Sequence, residues 1–295
     1  MPQDHDDLSP AADASAPTAA DFDEAFSAAA ASPGLRQVWE LAEPDLPPQA
    51  EPFSFVSVGL LQHVAQTLDL WPGQMLVDLG CGRGGPGLWL AREARVSLTG
   101  VDFSPVAVDQ ATLRAALFGL AGRTRFVVGD LSHTRLPEAS ADAAVSIDAL
   151  HFAADPAAAA AEVRRVLRPG RRLVMTNWQP KTPNDTRLPG RSRIDWPHLL
   201  RNAGFTEIEM QARPEWHDLW TRIYHVALDL GNPGDDALLA DLQDEARHRL
   251  PLADLVHRIV ITATAPDPLA GLSPSTAGAQ LSPARHHRPR PGAAG

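Results

Sequence analysis

Between residues 54 and 265, short apolar runs alternate with stretches whose apolar residues recur every three or four positions. The first pattern predicts buried strands and the second amphipathic helices. Strands are expected at 75–79, 96–101, 125–128, 143–147, 172–176, 205–210 and 258–264. Helices are expected at 22–31, 54–68, 88–94, 104–118, 155–167 and 195–204, followed by two amphipathic stretches at 215–230 and 235–250. Ser104-Pro105, Asp155-Pro156 and Asp195-Trp196-Pro197 each place a capping side chain before a first-turn proline, which marks a helix start. Pro44, Pro47, Pro48 and Pro52 predict a loop after the first helix, and 179–193 reads as a polar loop. Strands alternating with helices at this cadence imply an α/β fold, a parallel sheet covered on both faces.

The pattern pivots on Asp78-Leu79-Gly80-Cys81-Gly82-Arg83-Gly84-Gly85, where a strand breaks into closely spaced glycines and Pro86 opens a helix. Strand, glycine turn and helix N-terminus together suit a nucleotide-like ligand. Gly80, Gly82 and Gly85 fit the G-x-G-x-x-G dinucleotide fingerprint, whereas Gly80, Gly82 and Gly84 fit a looser Asp-x-Gly-x-Gly-x-Gly pattern. Asp78, Asp102, Asp130 and Asp148 fall at or near strand ends, the edge where ligands lie in open parallel sheets. Any one of them reads equally well as a turn former or a helix cap.

Composition narrows the partners. A chain of 295 residues with 44% hydrophobic content can bury one substantial core. A formal charge of −10 without a basic stripe argues against a nucleic-acid partner. The single cysteine, Cys81, excludes an intrachain disulfide framework and suits a reducing compartment. No apolar run approaches the roughly 20 residues that span a bilayer. The N-terminal stretch has neither the basic start nor the apolar core of a signal peptide, so a cytoplasmic location is expected. Residues 1–20 and 266–295 read as unstructured tails, with Arg285-His286-His287-Arg288 as solvated tail rather than a metal site.

Five stretches now fall in order: Val-Asp-Leu-Gly-Cys-Gly-Arg-Gly (77–84), Gly-Val-Asp-Phe-Ser (100–104), Gly-Asp-Leu (129–131), Ala-Val-Ser-Ile-Asp-Ala-Leu-His (144–151) and Leu-Arg-Pro-Gly (167–170). Together they resemble the class I S-adenosylmethionine (SAM)-dependent methyltransferases, over about residues 54–265, and look most like small-molecule enzymes of natural-product pathways, sugar O-methyltransferases among them. The resemblance implies a Rossmann-like, seven-stranded, mostly parallel sheet with an antiparallel last strand. Position alone suggests an N-terminal lid at 21–53, and an insert at 211–257, before the last strand, is expected to cover the acceptor. The resemblance implies SAM as cofactor, a small-molecule acceptor, no metal, and a monomer or homodimer. Gly80, Gly82 and Gly84 would let the backbone approach SAM. Asp102 would accept from both ribose hydroxyls, Asp130 from the adenine amino group, and the Leu131 N–H would face a ring nitrogen. Asp148 or its backbone would lie beside the methyl-donating end, with Asp78, Cys81 and Phe103 among the contacts; from position alone, Trp39 or Phe53 are candidate contacts from the lid.

The general base is the less legible part. His151, just beyond the fourth strand, is the candidate, with His217, His225 and Asp185 as runners-up. Phe152 follows it where similar O-methyltransferases often place a second histidine or a methionine. Trp216, Trp220 and Tyr224 share one helix face and read either as core or as an acceptor wall. His133 is expected to be exposed. Two other function classes stay open: a SAM-binding scaffold without transferase chemistry, and a nicotinamide oxidoreductase. Against the latter, the only tyrosine is Tyr224 and the only lysine Lys181, which leaves no Tyr-x-x-x-Lys pair.

Overall fold

A computed structural model describes residues 18–183 and 185–267. Its strands are β1 (Met75–Leu79), β2 (Ser97–Asp102), β3 (Thr124–Val128), β4 (Ala141–Ile147), β5 (Leu167–Pro180), β6 (Thr206–Ala212) and β7 (Val256–Thr264). They form one sheet in the order β3-β2-β1-β4-β5-β7-β6. The pairs from β3 through β5 are parallel, and β7 runs antiparallel to both β5 and β6. The chain leaves β1 in one direction to β2 and β3, and in the other to β4 and β5. That reversal puts a crevice beyond the carboxyl ends of β1 and β4, the usual ligand position in such sheets.

Side chains alternate across the strands, and in the central strands β1, β2 and β4 both sets are buried, so these read as continuous apolar runs. The edge strands β3 and β6 are instead largely exposed or half-buried. Leu76, Leu98, Ala143, Val145 and Val174 pack against Leu60, Leu61 and Val64 of helix α3 (Val58–Leu68) and Leu88 of α4 (Gly85–Ala94). Val77, Leu79, Val101, Ala144 and Leu173 pack on the opposite face against Ala159 and Val163 of α6 (Pro156–Val166) and Leu200 of α7 (Trp196–Asn202). The helix α5 (Pro105–Arg114) starts as expected, with Ser104 Oγ accepting from Ala107 N at 3.0 Å.

Three expectations change. The predicted tail ends earlier, because Thr18 caps α1 (Ala19–Ala31) in a reciprocal box with Asp21; the rest of the two tails lies outside the described residues. The stretch read as a proline loop begins with a helix, α2 (Pro33–Ala42). Ser32 Oγ accepts from Leu35 N at 2.9 Å and Pro33 occupies its first turn. Third, β5 runs well past the predicted 172–176, continuing into the loop expected from residue 179.

Helix α2 joins the lid to the insert. Its Val38 and Ala42 are buried against Leu219, Ile223 and Leu239 of α8 (Pro214–Asp229) and α9 (Ala237–Arg249). Asp236, the cap of α9, accepts from Gly34 N and Ser32 Oγ, both at 2.8 Å. The N-terminal helix α2 and the α8–α9 pair therefore pack together as one helical cap over the cavity's side of the sheet.

Candidate active site

Beneath that cap lies a cavity of about 510 Å³. Its floor is the glycine loop. Gly80 N and Cys81 N both donate to Val101 O, at 2.8 and 3.1 Å, which bends the chain sharply at the end of β1. Gly80 has φ +74°, and a Cβ there would collide with that of Ala149, in the segment after β4. Glycine at position 80 thus lets two strand ends close on each other.

Asp102 ends β2 under this loop. Its Oδ2 accepts from Gly82 N at 2.7 Å and its Oδ1 from Ser104 N at 3.0 Å. Each oxygen keeps lone-pair capacity for a further donor. Burial raises its pKa, which the backbone donors partly offset. Asp78, buried one strand over, is pushed up to about 7 by burial and then by the Asp102 charge. Asp130, at the tip of β3, accepts from Ser132 N through Oδ1 at 2.6 Å, while Oδ2 has no hydrogen-bond partner among the described residues. Asp78, Gly80, Cys81, Gly82, Asp102, Phe103, Asp130, Leu131, Asp148 and His151 all line the one cavity.

Gly84 does not. A Cβ on it would meet Ala111 Cβ at 3.0 Å, so its small size lets the loop pack on α5 rather than approach a ligand. Asp148 lines the cavity, yet its charge is spent: Arg258 of β7 pairs with both carboxylate oxygens, Nη2 to Oδ2 at 2.6 Å, and Thr176 Oγ1 donates to Oδ1 at 2.8 Å. Arg258 is itself buried, with its guanidinium carbon 4.6 Å from the Trp178 ring centre. The carboxylate-rich rim is therefore less negative than the sequence suggests.

His151 sits in a 3₁₀ turn, Leu150–Phe152, directly after Asp148. Its Nδ1 is buried without a hydrogen-bond partner, and its ring lies 4.2 Å from that of Phe152. Burial lowers its pKa to about 4; Asp148 opposes the shift, while Arg191 and Arg258 add to it. The imidazole is consequently neutral at pH 7 and able to accept a proton. The runners-up do not line the cavity: Asp185 pairs with Arg187 at 2.6 Å, His217 packs on Trp220 and Trp178, and His225 is exposed. His133 is exposed, as expected. The aromatic face of α8 divides: Trp220 and Tyr224 line the cavity, whereas Trp216 belongs to the core beside His63.

Trp39 and Phe53 both line the cavity, in company with residues the sequence did not single out. Phe22 of α1 packs edge-on against Phe103 and Phe152, each 5.2 Å away. Glu51 pairs with Arg83 of the glycine loop at 2.7 Å. Asp23 accepts from Ser104 Oγ, which ties α1 to the start of α5. Trp178, Asn177 and Arg191 also line the cavity. Phe22 and Phe26 lie four residues apart on one face of α1, a local signal available in the sequence; the other partners are too distant in sequence to leave one.

A family model described as "Methyltransferase domain" matches residues 77–175, from the glycine loop through the middle of β5. Residues 77–175 thus carry a methyltransferase domain, of the class I SAM-dependent type that the sheet order and the glycine loop also match. The sterol 24-C-methyltransferase ERG6B of Gibberella zeae is 31% identical over 116 residues, covering 39% of this chain and 30% of that protein. The 27-O-demethylrifamycin SV methyltransferase of Amycolatopsis mediterranei is 34% identical over 116 residues, covering 39% and 43%. This chain therefore spans less than half the length of these relatives. The crystal structure of the [4+2]-cyclase SpnF superposes with a TM-score of 0.61 at 25% identity, covering 71% of this chain and 81% of that one.

SAM is the cofactor of this family, and the site fits it. Asp102 and Asp130 end adjacent strands beside the glycine loop, each with acceptor capacity left for a ribose or an adenine donor. Phe103, Leu131 and Phe152 supply apolar surface for a base between them. Among the described residues no cluster of side chains suits a metal ion, and no helix is long and apolar enough to cross a membrane.

Proposed function

We propose that this protein transfers the methyl group of SAM to a small-molecule acceptor, and that the acceptor atom is a hydroxyl oxygen. The observation that supports this is the single cavity running from the glycine loop, past His151, into an aromatic chamber under the helical cap. SAM, when bound, supplies an already activated methyl group on a sulfonium. The chain's own work is then to hold, align and exclude. The glycine loop, Asp102 and Asp130 hold the adenosyl end. Phe22, Phe26 and Phe53 of the lid cover it and keep out water. Trp178, Trp220 and Tyr224 orient the acceptor; such alignment can be worth about 7–11 kcal/mol. Neutral His151 takes the proton from the acceptor hydroxyl as the methyl is transferred, a contribution on the order of 10²–10⁴-fold.

The test is transfer of radiolabelled methyl from SAM to a panel of apolar alcohols and phenols, with His151→Ala alongside. A fall of about 10²–10⁴-fold on alcohols, with pre-ionised phenols less affected, supports deprotonation. An unchanged rate removes His151 from the chemistry and favours a nitrogen or carbon acceptor, the sterol enzyme's name being a case of the latter. The likeness to a protein described as a [4+2]-cyclase favours a second reading, in which the fold binds SAM and the cap chamber hosts other chemistry. Binding of S-adenosylhomocysteine with no methyl transfer to any acceptor would promote it.

A further inference from the structure

The half of the cavity away from the glycine loop is walled by Phe55, Trp178, Trp220, Tyr224, Leu242 and Leu252. Its rings pack closely, with centroids 4.6 Å apart for Trp178 and Trp220 and 5.4 Å for Phe55 and Tyr224. Two guanidinium groups join this apolar wall. Arg191, on the 3₁₀ turn Gly190–Arg193, is half-buried and lies 5.5 Å from the Phe152 ring centre. It has no hydrogen bond and no ion pair among the described residues. Arg249 of α9 has only a 3.9 Å contact with Glu245. By contrast Arg83, which also lines the cavity, is paired with Glu51, and buried Arg258 with Asp148. Cations withdrawn from water are ordinarily paired, so Arg191 is a charge waiting for a partner.

We propose that the acceptor is an amphipathic anion, with an apolar body of aromatic dimensions in the chamber and an oxyanion group held by the Arg191 guanidinium. This rests on the acceptor reading above. A guanidinium suits the role because its planar fork donates two parallel bonds to a carboxylate or phosphate. Asp241 and Glu245 of α9 also line the cavity and are exposed; Glu245 favours the charged form of Arg191 without bonding to it, while Arg249 opposes that, so the pair of guanidinium groups faces one carboxylate across the cavity. Repulsion from Arg191 is among the causes holding His151's proton affinity down. An anion on Arg191 would relieve it, coupling acceptor binding to the strength of the base.

The test is calorimetry on the full chain saturated with S-adenosylhomocysteine, using 2-naphthoate, 2-naphthylmethanol and 2-naphthylmethylammonium as matched probes. The carboxylate is expected to bind at least about tenfold tighter than the alcohol, the scale of a charge-assisted hydrogen bond. Arg191→Met should erase that advantage, Arg191→Lys should keep part of it, and both should bind S-adenosylhomocysteine as the parent does. Equal or weaker binding of the carboxylate, tighter binding of the ammonium, or an advantage that survives Arg191→Met would overturn the proposal. Failure of S-adenosylhomocysteine to bind the parent would sink the cofactor reading and this proposal with it. Cofactor binding without a carboxylate preference sinks this proposal alone.

Discussion

Replacing Arg258 by methionine should cost more stability than any other single change near the cavity. Its side chain is fully buried and holds both oxygens of Asp148, whose own side chain is only 8% exposed. After Arg258→Met the carboxylate keeps the Thr176 hydroxyl at 2.8 Å and nothing else charged. Removing one partner of a buried pair costs about 3–5 kcal/mol, mostly for the charge left behind. Because Asp148 also borders the cavity, water can reach it, which favours the lower end of that range. With a urea m-value of about 1–3 kcal/mol/M, the unfolding midpoint should fall by about 1 M or more. Asp148→Asn together with Arg258→Met removes both charges while an amide can still accept from Thr176. The double variant should therefore be more stable than Arg258→Met alone. Urea unfolding followed by tryptophan fluorescence measures both. A midpoint within about 0.3 M of the parent, or a double variant as unstable as the single, would refute the reasoning.

Other consequences can be checked in the same way. His151 has a folded pKa of about 4 against an ordinary 6.5, so between those values the unfolded chain binds more protons. Its contribution is present above pH 6.5 and is lost as pH falls toward 4, by about 3 kcal/mol in total; His151→Gln should flatten that part of the stability profile, and kcat/KM should show no histidine limb between pH 5 and 8. Asp78, raised to about 7, is half-protonated at neutral pH, and the ligand's ammonium should pull it toward the ionised form. Calorimetry of S-adenosylhomocysteine in buffers of different ionisation enthalpy should show release of about half a proton at pH 7, absent in Asp78→Asn. Gly80→Ala forces a Cβ onto Ala149 at φ +74°, a strain of about 1–2 kcal/mol before the collision is counted, and should lower S-adenosylhomocysteine affinity at least about tenfold.

The sheet was legible because its central strands are buried on both faces and carry their signal locally, as runs such as Leu76–Leu79 and Ala143–Ile147. The glycine-loop side of the cavity was legible for a related reason: Asp102 and Asp130, which line it, stand at strand ends. Helix α2 has a start signal in Ser32-Pro33 and helical spacing in Leu35, Val38, Trp39 and Ala42, but the four prolines just beyond it give the stretch the composition of a loop. The rest of the cavity lining had no comparable handle. Arg258 meets Asp148 across 110 residues and Glu51 meets Arg83 across 32, and no local pattern announces a partner that far away. Gly84 shows the converse limit. Its place in the glycine motif was plain, but only the structure shows that it packs on Ala111 and does not line the cavity.

The central claim is that the glycine loop and the acidic ends of β2 and β3 form one adenosyl pocket. Calorimetric titration of the full chain with S-adenosylhomocysteine tests it most directly, with Asp102→Ala and NAD as comparisons. The account predicts a single site with a Kd below about 100 μM, weakened at least about a hundredfold in Asp102→Ala, and no comparable binding of NAD. No binding at millimolar ligand, or NAD binding the more tightly, would contradict it.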